Sequence, residues 1–246
     1  MRIATYNLFE GAQDTYALLK EFVEQQDLDI LCIQEANEWQ DGDPSRLDDF
    51  SASTGLDSYV FGNSPRTRFK LATFSRLPIL SSVVHTEGYW HCAVQTVIDT
   101  GSEPLDLWNV HLNPQDEDKR LEEARRIAAD LAVGDFNGLS RSDRYPNLLE
   151  KLQVQGIEKF GATALRYEVT DYLTKAGLVD LGAELGSNTY TVPTQANQDM
   201  FHAARMRLDY MFALPRIAAL ARSLVVIKNS LTDQISDHYP VVLVLK

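Results

Sequence analysis

The chain has 246 residues, 44% of them hydrophobic and 24% charged, with a formal net charge of −12. Such proportions are those of an ordinary soluble globular chain, and no apolar run approaches the length that crosses a bilayer. The acidic balance disfavours a protein that grips long nucleic acid through its backbone, since such proteins usually show a basic face.

The length fits one large domain or two small ones; a single domain over 1–246 is expected. The opening Met1-Arg2-Ile3-Ala4-Thr5-Tyr6-Asn7 lacks the long apolar core of a secretory signal. A cytoplasmic location is therefore expected, with secretion after removal of a leader left open; separately, a monomer is expected. Cys32 and Cys92 fall in strand-like runs without a short Cys-x-x-Cys spacing, which predicts buried free thiols.

Taken in order, Arg2–Asn7 alternates as a strand does and ends at Asn7. Asp14 is placed to cap a helix over Thr15–Gln26, where Leu18, Leu19, Phe22 and Val23 recur at helical spacing. Leu28–Ile33 is a short continuous apolar run, as in a strand covered on both faces, and it ends in Gln34-Glu35. Strand, helix, strand is the opening unit of an α/β layered fold. A polar, acidic stretch over 38–57 carries Leu47 and Phe50 and reads as a short helix plus loop.

Strands are predicted at Tyr59–Phe61, Leu71–Phe74, Ile79–Val84, Ala93–Ile98 and Leu105–His111, joined by short turns as in an antiparallel meander. Lys119–Leu131 carries an apolar stripe of Leu121, Ala124, Ile127, Ala128 and Leu131 and reads as a helix. It runs almost directly into Val133-Gly134-Asp135, with hardly room for a connection. Either the helix is short or residues are missing before Gly134; a missing loop is expected. Tyr167–Ala176 reads as a helix stopped by Gly177, Thr189–Val192 as a short strand, and Gln195–Ala204 as a polar loop. Strands at Leu208–Phe212, Ser223–Ile227 and Val241–Leu245 close the chain.

Polar clusters sit at the ends of these strand-like runs: Asn7, Gln34-Glu35, His111 with Asn113, Asp135 with Asn137, and Ser236-Asp237-His238. Asp209 lies inside a strand beside aromatics, where a carboxylate needs a partner because an unpaired buried charge is costly. Each has a plain reading alone. Asp135 and Asn137 could form a turn with their side chains on the local backbone, and His111 could be a satisfied core histidine. Together they are harder to dismiss, because sites in α/β sheets gather at strand ends. Carboxylates and amides at i and i+2 suit a hard cation or a phosphate oxygen.

Thr5-Tyr6-Asn7, Ile33-Gln34-Glu35, Asn109-Val110-His111-Leu112, Gly134-Asp135-Phe136-Asn137, Arg207-Leu208-Asp209-Tyr210 and Ser236-Asp237-His238-Tyr239-Pro240 resemble the ordered motifs of the endonuclease/exonuclease/phosphatase superfamily. The resemblance spans nearly the whole chain. It implies a four-layer α/β sandwich, two packed mixed sheets flanked by helices. It also implies a Mg²⁺-dependent hydrolase, with Mn²⁺ as a substitute, that cleaves a phosphodiester or phosphomonoester by in-line attack of water.

By the same resemblance, Asn7, Glu35 and Asp237 would hold the metal. Asp135 would orient or deprotonate the water, and Asn137 would hold the phosphate or that water. His238 would bond a phosphate oxygen, Asp209 would fix the His238 tautomer, and His111 would contact the phosphate or leaving group. Asn113, Arg76 and Trp39 lie beside the motifs and are expected to touch substrate. A general phosphate ester ranks above DNA or RNA, then a sphingomyelinase-like phospholipase, then a non-catalytic binding member. Tyr89-Trp90-His91 reads as strand-edge or core aromatics, and Arg66, Arg68, Lys70 and Arg76 as a modest basic cluster in a solvated loop.

Overall fold

The protein, seen as a computed structural model, is described for residues 1–196, 200–202 and 204–246. Its strands are β1 (Arg2–Asn7), β2 (Ile30–Gln34), β3 (Ser58–Gly62), β4 (Leu71–Ser75), β5 (Ile79–His85), β6 (Ala93–Ile98), β7 (Leu105–His111), β8 (Leu131–Asp135), β9 (Val179–Asp180), β10 (Asp209–Ala213), β11 (Ala221–Val226) and β12 (Val241–Leu245). Its helices are α1 (Tyr16–Gln26), α2 (Arg46–Thr54), α3 (Glu117–Ala124), α4 (Leu148–Val154), α5 (Glu168–Lys175), α6 (Leu181–Glu184), α7 (Pro215–Ala218) and α8 (Thr232–Ile235).

The strands form two six-stranded sheets, in the orders β11-β12-β1-β2-β4-β3 and β5-β6-β7-β8-β10-β9. Both are mixed: β1/β2 and β7/β8 are parallel, and their other neighbours antiparallel. The sheets face each other across a core of Ile3, Ile30, Cys32, Leu107, Val133, Met211 and Leu243. Apolar side chains on both faces of β2 and β8 explain why those strands read as continuous apolar runs.

The outer face of the first sheet is covered by α1 and α2 through Leu19, Phe22, Val23, Leu47 and Phe50. The outer face of the second is covered by Ala124 of α3 and by Val169 and Leu173 of α5. Helix, sheet, sheet, helix gives the four layers expected. Both cysteines are buried and free. Among the described residues no helix is long and apolar enough to cross a membrane.

Five sequence expectations change. The helix expected to end at Leu131 stops at Ala124, and Leu131 instead opens β8 in register with Leu107. The apolar stripe misled because residues 127–131 change partner, not polarity. The intervening 125–130 make the connection, with the Asp130 N–H on Asp106 O, so no missing loop is needed. Helix α1 is capped at Thr15 without a side-chain bond, so Asp14 is not its cap. Thr189–Val192 is not a strand but contributes one bridge, Val192 to Met206. Within the polar loop expected over Gln195–Ala204, residues 197–199 and 203 lie outside the described residues, and Met200–His202 forms a short 3₁₀ turn.

Candidate active site

Strand direction decides which side chains meet. Asn7, Gln34, His111 and Asp135 end the parallel strands β1, β2, β7 and β8. Asp209 begins β10, which runs the other way, and Asp237-His238 precede β12, antiparallel to β1. All these groups therefore arrive at one edge of the sandwich. On the second sheet the register puts His111 opposite Asp135, and Asp135 opposite Asp209, in one row.

The row is closed by side-chain contacts. His238 Nδ1 lies 2.8 Å from Asp209 Oδ2, and its Nε2 lies 3.9 Å from Asp135 Oδ2. His111 Nε2 is 3.4 Å from the same Asp135 oxygen. Asn7 Nδ2 donates to that oxygen at 3.1 Å and reaches Glu35 Oε1 at 3.4 Å, so the two sheets meet at the site. The Asn137 N–H donates to Asp135 Oδ1 at 2.8 Å, and its amide to Leu112 O. The plain turn reading of Asp135-Phe136-Asn137 is thus correct for one carboxylate oxygen, while the other faces the shared cluster.

Backbone geometry keeps these groups in place. Gly134 has φ +141°, and a Cβ there would sit 1.9 Å from Val110 O, so glycine is required for β8 to lie against β7. Behind the cluster, Gln34 Nε2 donates to Asn109 Oδ1 at 2.7 Å, and Asn109 donates to Ile33 O and Ala72 O. This buried amide pair pins the sheets together; the sequence analysis assigned no role to Asn109. The Ser236 hydroxyl donates to Asn7 O at 2.7 Å and fixes the approach of Asp237.

The electrostatics are lopsided. Burial pushes Glu35 up to about 8, and Asp237 and Asp135 add to the push. Burial would lower His238, but Asp209, Asp237 and Asp135 outweigh it and bring the imidazole up to about 10. Burial would raise Asp237, but His238 and His202, whose Nδ1 is 3.1 Å away, hold it below the usual carboxylate range. Burial drives His111 down to about 3, with His238 adding to the fall, so it is neutral near pH 7.

These groups open onto a cleft of about 560 Å³ that is also lined by Phe9, Glu10, Phe69, His91, Gln115 and Lys159. Sequence reasoning did not single out Lys159, Phe69 or Glu10, and nothing in their spacing could have done so. His91 was read as strand-edge or core; it is buried and stacks on His111 at 4.2 Å, while Trp90 is exposed.

Three expected substrate contacts stand elsewhere. Arg76 follows β4, which runs antiparallel to β2, so it lies at the far end of the sheet with Asp27 and Asp29. That also breaks up the expected basic cluster: Arg68 pairs with Glu10 and Lys70 bonds Ser64 O and Thr67 O. Trp39 is fully buried among Tyr16, Phe50 and Phe74, its indole on Gly11 O. Asn113 is buried and accepts from the N–H groups of Gln115 and Asp116, a turn former before α3.

The donor set fits a hard divalent cation. Asn7 and Glu35 converge, Asp135 and Asp237 stand beside them, and Glu35 is driven up by burial and by those two carboxylates, a cost that a cation would relieve.

No curated protein sequence matches the chain. Solved structures do. An AP endonuclease from Archaeoglobus fulgidus matches at 18% identity and TM-score 0.74, covering 100% of this chain and 99% of that one. A 3′ phosphatase from Neisseria bound to a product DNA hairpin matches at 17% and 0.73, with coverage of 100% and 99%. An endonuclease/exonuclease/phosphatase family protein from Leptotrichia buccalis matches at 15% and 0.67, again with 100% and 99% covered. At these identities the likeness is one of fold. The sequence itself matches the family model over residues 4–238, and with the site's motifs in place the chain belongs to the Endonuclease/Exonuclease/phosphatase family.

Proposed function

We propose that the protein is a Mg²⁺-dependent phosphoester hydrolase that cleaves by in-line attack of water. The observation that carries the reading is the convergence of Asn7, Glu35, Asp135, Asp237 and His238 from both sheets on one cleft, with Asp209 bonded to His238. Asn7, Glu35 and Asp237 hold the cation. Bound there, it supplies Lewis-acid polarisation of a phosphoryl oxygen and offsets the surrounding carboxylates.

The other roles belong to the protein. Asp135 is the base: its Oδ1 is fixed by the Asn137 N–H, and its Oδ2 faces the cleft groups that would flank a water. His238, charged near pH 7, bonds a non-bridging phosphate oxygen through Nε2 as negative charge grows there. Asp209 accepts from Nδ1, which holds the charge and the ring orientation and aims Nε2 into the cleft. Asn137 contacts the phosphate, and neutral His111 stands on the leaving-group side.

The phosphate ester is favoured in nucleotide form by the aromatic lining. Phe9 and Phe69 flank the cleft, and Phe201 stands exposed at its edge, as stacking surfaces for a base. The AP endonuclease and the DNA-bound 3′ phosphatase among the structural relatives agree with that second, narrower reading.

The test is a substrate panel with Mg²⁺, Mn²⁺ or EDTA: a generic phosphodiester, a phosphomonoester, abasic and nicked DNA, RNA and sphingomyelin. Metal-dependent turnover of at least one class is expected. Asp135→Ala is expected to lose roughly 10³-fold while unfolding at nearly the same temperature. Turnover that survives EDTA or Asp135→Ala would reject the mechanism.

A further inference from the structure

The chain between Asn7 and α1 adopts an uncommon backbone. Phe9, Glu10, Gly11 and Ala12 have φ of 41°, 57°, 81° and 50°, a run of left-handed residues of which only one is glycine. Glu35, Glu38 and Asn137 are left-handed too, and Phe9, Glu10, Glu35 and Asn137 all line the cleft. L-residues adopt this region at a cost, and neighbouring contacts must hold them there.

The turn aims two backbone donors at the groups assigned to the cation. The Phe9 N–H donates to Asn7 Oδ1 at 3.2 Å, and the Glu10 N–H to Glu35 Oε2 at 2.9 Å. Each oxygen keeps a lone pair for another partner. In an ordinary right-handed continuation these two N–H groups would point elsewhere, and Asn7 and Glu35 would keep only their contacts with each other and with Asp135.

The turn is held from the β2 side. The Trp39 indole N–H donates to Gly11 O at 2.9 Å, and Arg46 Nη1 to the same oxygen at 3.2 Å. Glu10 is taken by Asn37 Nδ2 at 3.0 Å and by Arg68. Contact is close enough that a Cβ on Gly11 would lie 2.7 Å from Asn37 O. Trp39 in turn is packed against Phe50 at 5.1 Å and Tyr16 at 5.7 Å. The loops after β1 and β2 thus form one clasp, with Trp39 as its pin.

Building on the cation site proposed above, we infer that Trp39 is a positioning residue. Through Gly11 O it locks the left-handed turn, whose N–H groups pre-set Asn7 and Glu35 for a divalent cation. It touches neither substrate nor cation.

Calorimetric Mg²⁺ binding to the full chain tests this, with Phe50→Leu as a control that damages the same aromatic cluster without a bond to the turn. Trp39→Phe is expected to raise the Mg²⁺ Kd about tenfold or more, with most turnover recovered at saturating Mg²⁺. Phe50→Leu is expected to lower the unfolding temperature while leaving Kd within about twofold. Ala12→Gly added to Trp39→Phe is expected to recover part of the affinity, because glycine adopts the turn freely. Should Trp39→Phe not fold, Arg46→Met removes the other donor to Gly11 O outside the core and is expected to raise Kd about threefold. An unchanged Kd in Trp39→Phe, or in Arg46→Met if that is the variant in hand, overturns the clasp, as does an equal rise in Phe50→Leu. A wild-type chain that binds no Mg²⁺ overturns the cation site itself.

Discussion

The protein buries charge in two places and treats it differently. Around Arg207 every charge is bonded to a partner: its guanidinium meets Asp143 at 3.0 Å and Asp180 at 2.6 Å, all three nearly out of solvent, although burial still raises Asp143. Burial would lower Arg207, but Tyr210 and the carboxylates outweigh it and keep the cation. At the cleft, Asp135, Asp209 and Asp237 crowd around the imidazolium of His238, and Glu35 beside them is pushed up by burial first and by Asp237 and Asp135 after it. The directly bonded cluster fastens the 142–143 loop and β9 to β10. The one with several carboxylates to a single imidazolium is a site, because it gains most from something that comes from outside.

That contrast can be broken at either end. Arg207→Met leaves two buried carboxylates unpaired and is expected to cost about 3–5 kcal/mol in urea unfolding, with Mg²⁺ affinity unmoved. Asp209→Asn changes charge at the cleft instead. It is expected to cut turnover roughly a hundredfold, about 2.7 kcal/mol, with much less loss of stability. If Arg207→Met proves the milder of the two in unfolding, the distinction between the clusters fails.

Acid should weaken the fold through the stacked pair His91 and His111. Burial drives them down to about 2 and about 3; His111 adds to the fall of His91, and His238 and Lys159 add to that of His111. The unfolded chain takes up these protons below about 6.5 and the folded chain does not. Stability is therefore present above that pH and lost as pH falls towards the folded values. At pH 5 the loss is roughly 2 kcal/mol per histidine. Unfolding temperatures from pH 7 to 5 are expected to fall less in His91→Gln than in the wild type. The smallest effect is at Glu35. Glu35→Gln relieves like-charge crowding, so the metal-free variant is expected to be as stable as wild type or about 1 kcal/mol more so, while Mg²⁺ no longer raises its unfolding temperature.

The residues that end strands were legible because strand ends are where polarity changes abruptly. Asn7, Glu35, His111, Asp135, Asp237 and His238 all meet at the cleft, and Asp209 bonds His238 there. Residues chosen for lying near a motif fared worse. Distance along the chain says nothing about strand direction, which sent Arg76 to the far end, nor about which way Trp39 turns after Glu35. The pairing of two sheets was implied by the family resemblance alone, since periodicity finds strands without their neighbours. Asn109 stood in a family motif, but its role was hidden for the same reason: its partner Gln34 belongs to the other sheet.

The row that places His111, Asp135 and Asp209 side by side is a hydrogen-bonded ladder, not a set of loops. Its spacing is inherited from the pitch of the strands. Lengthening or shortening the connections around it alters the rim of the cleft and leaves the row intact. A one-residue deletion inside β8 would instead turn Asp135 to the opposite face. The same framework can therefore be refitted to new esters by editing its rim, while the chemistry at its floor changes only at the risk of losing it altogether.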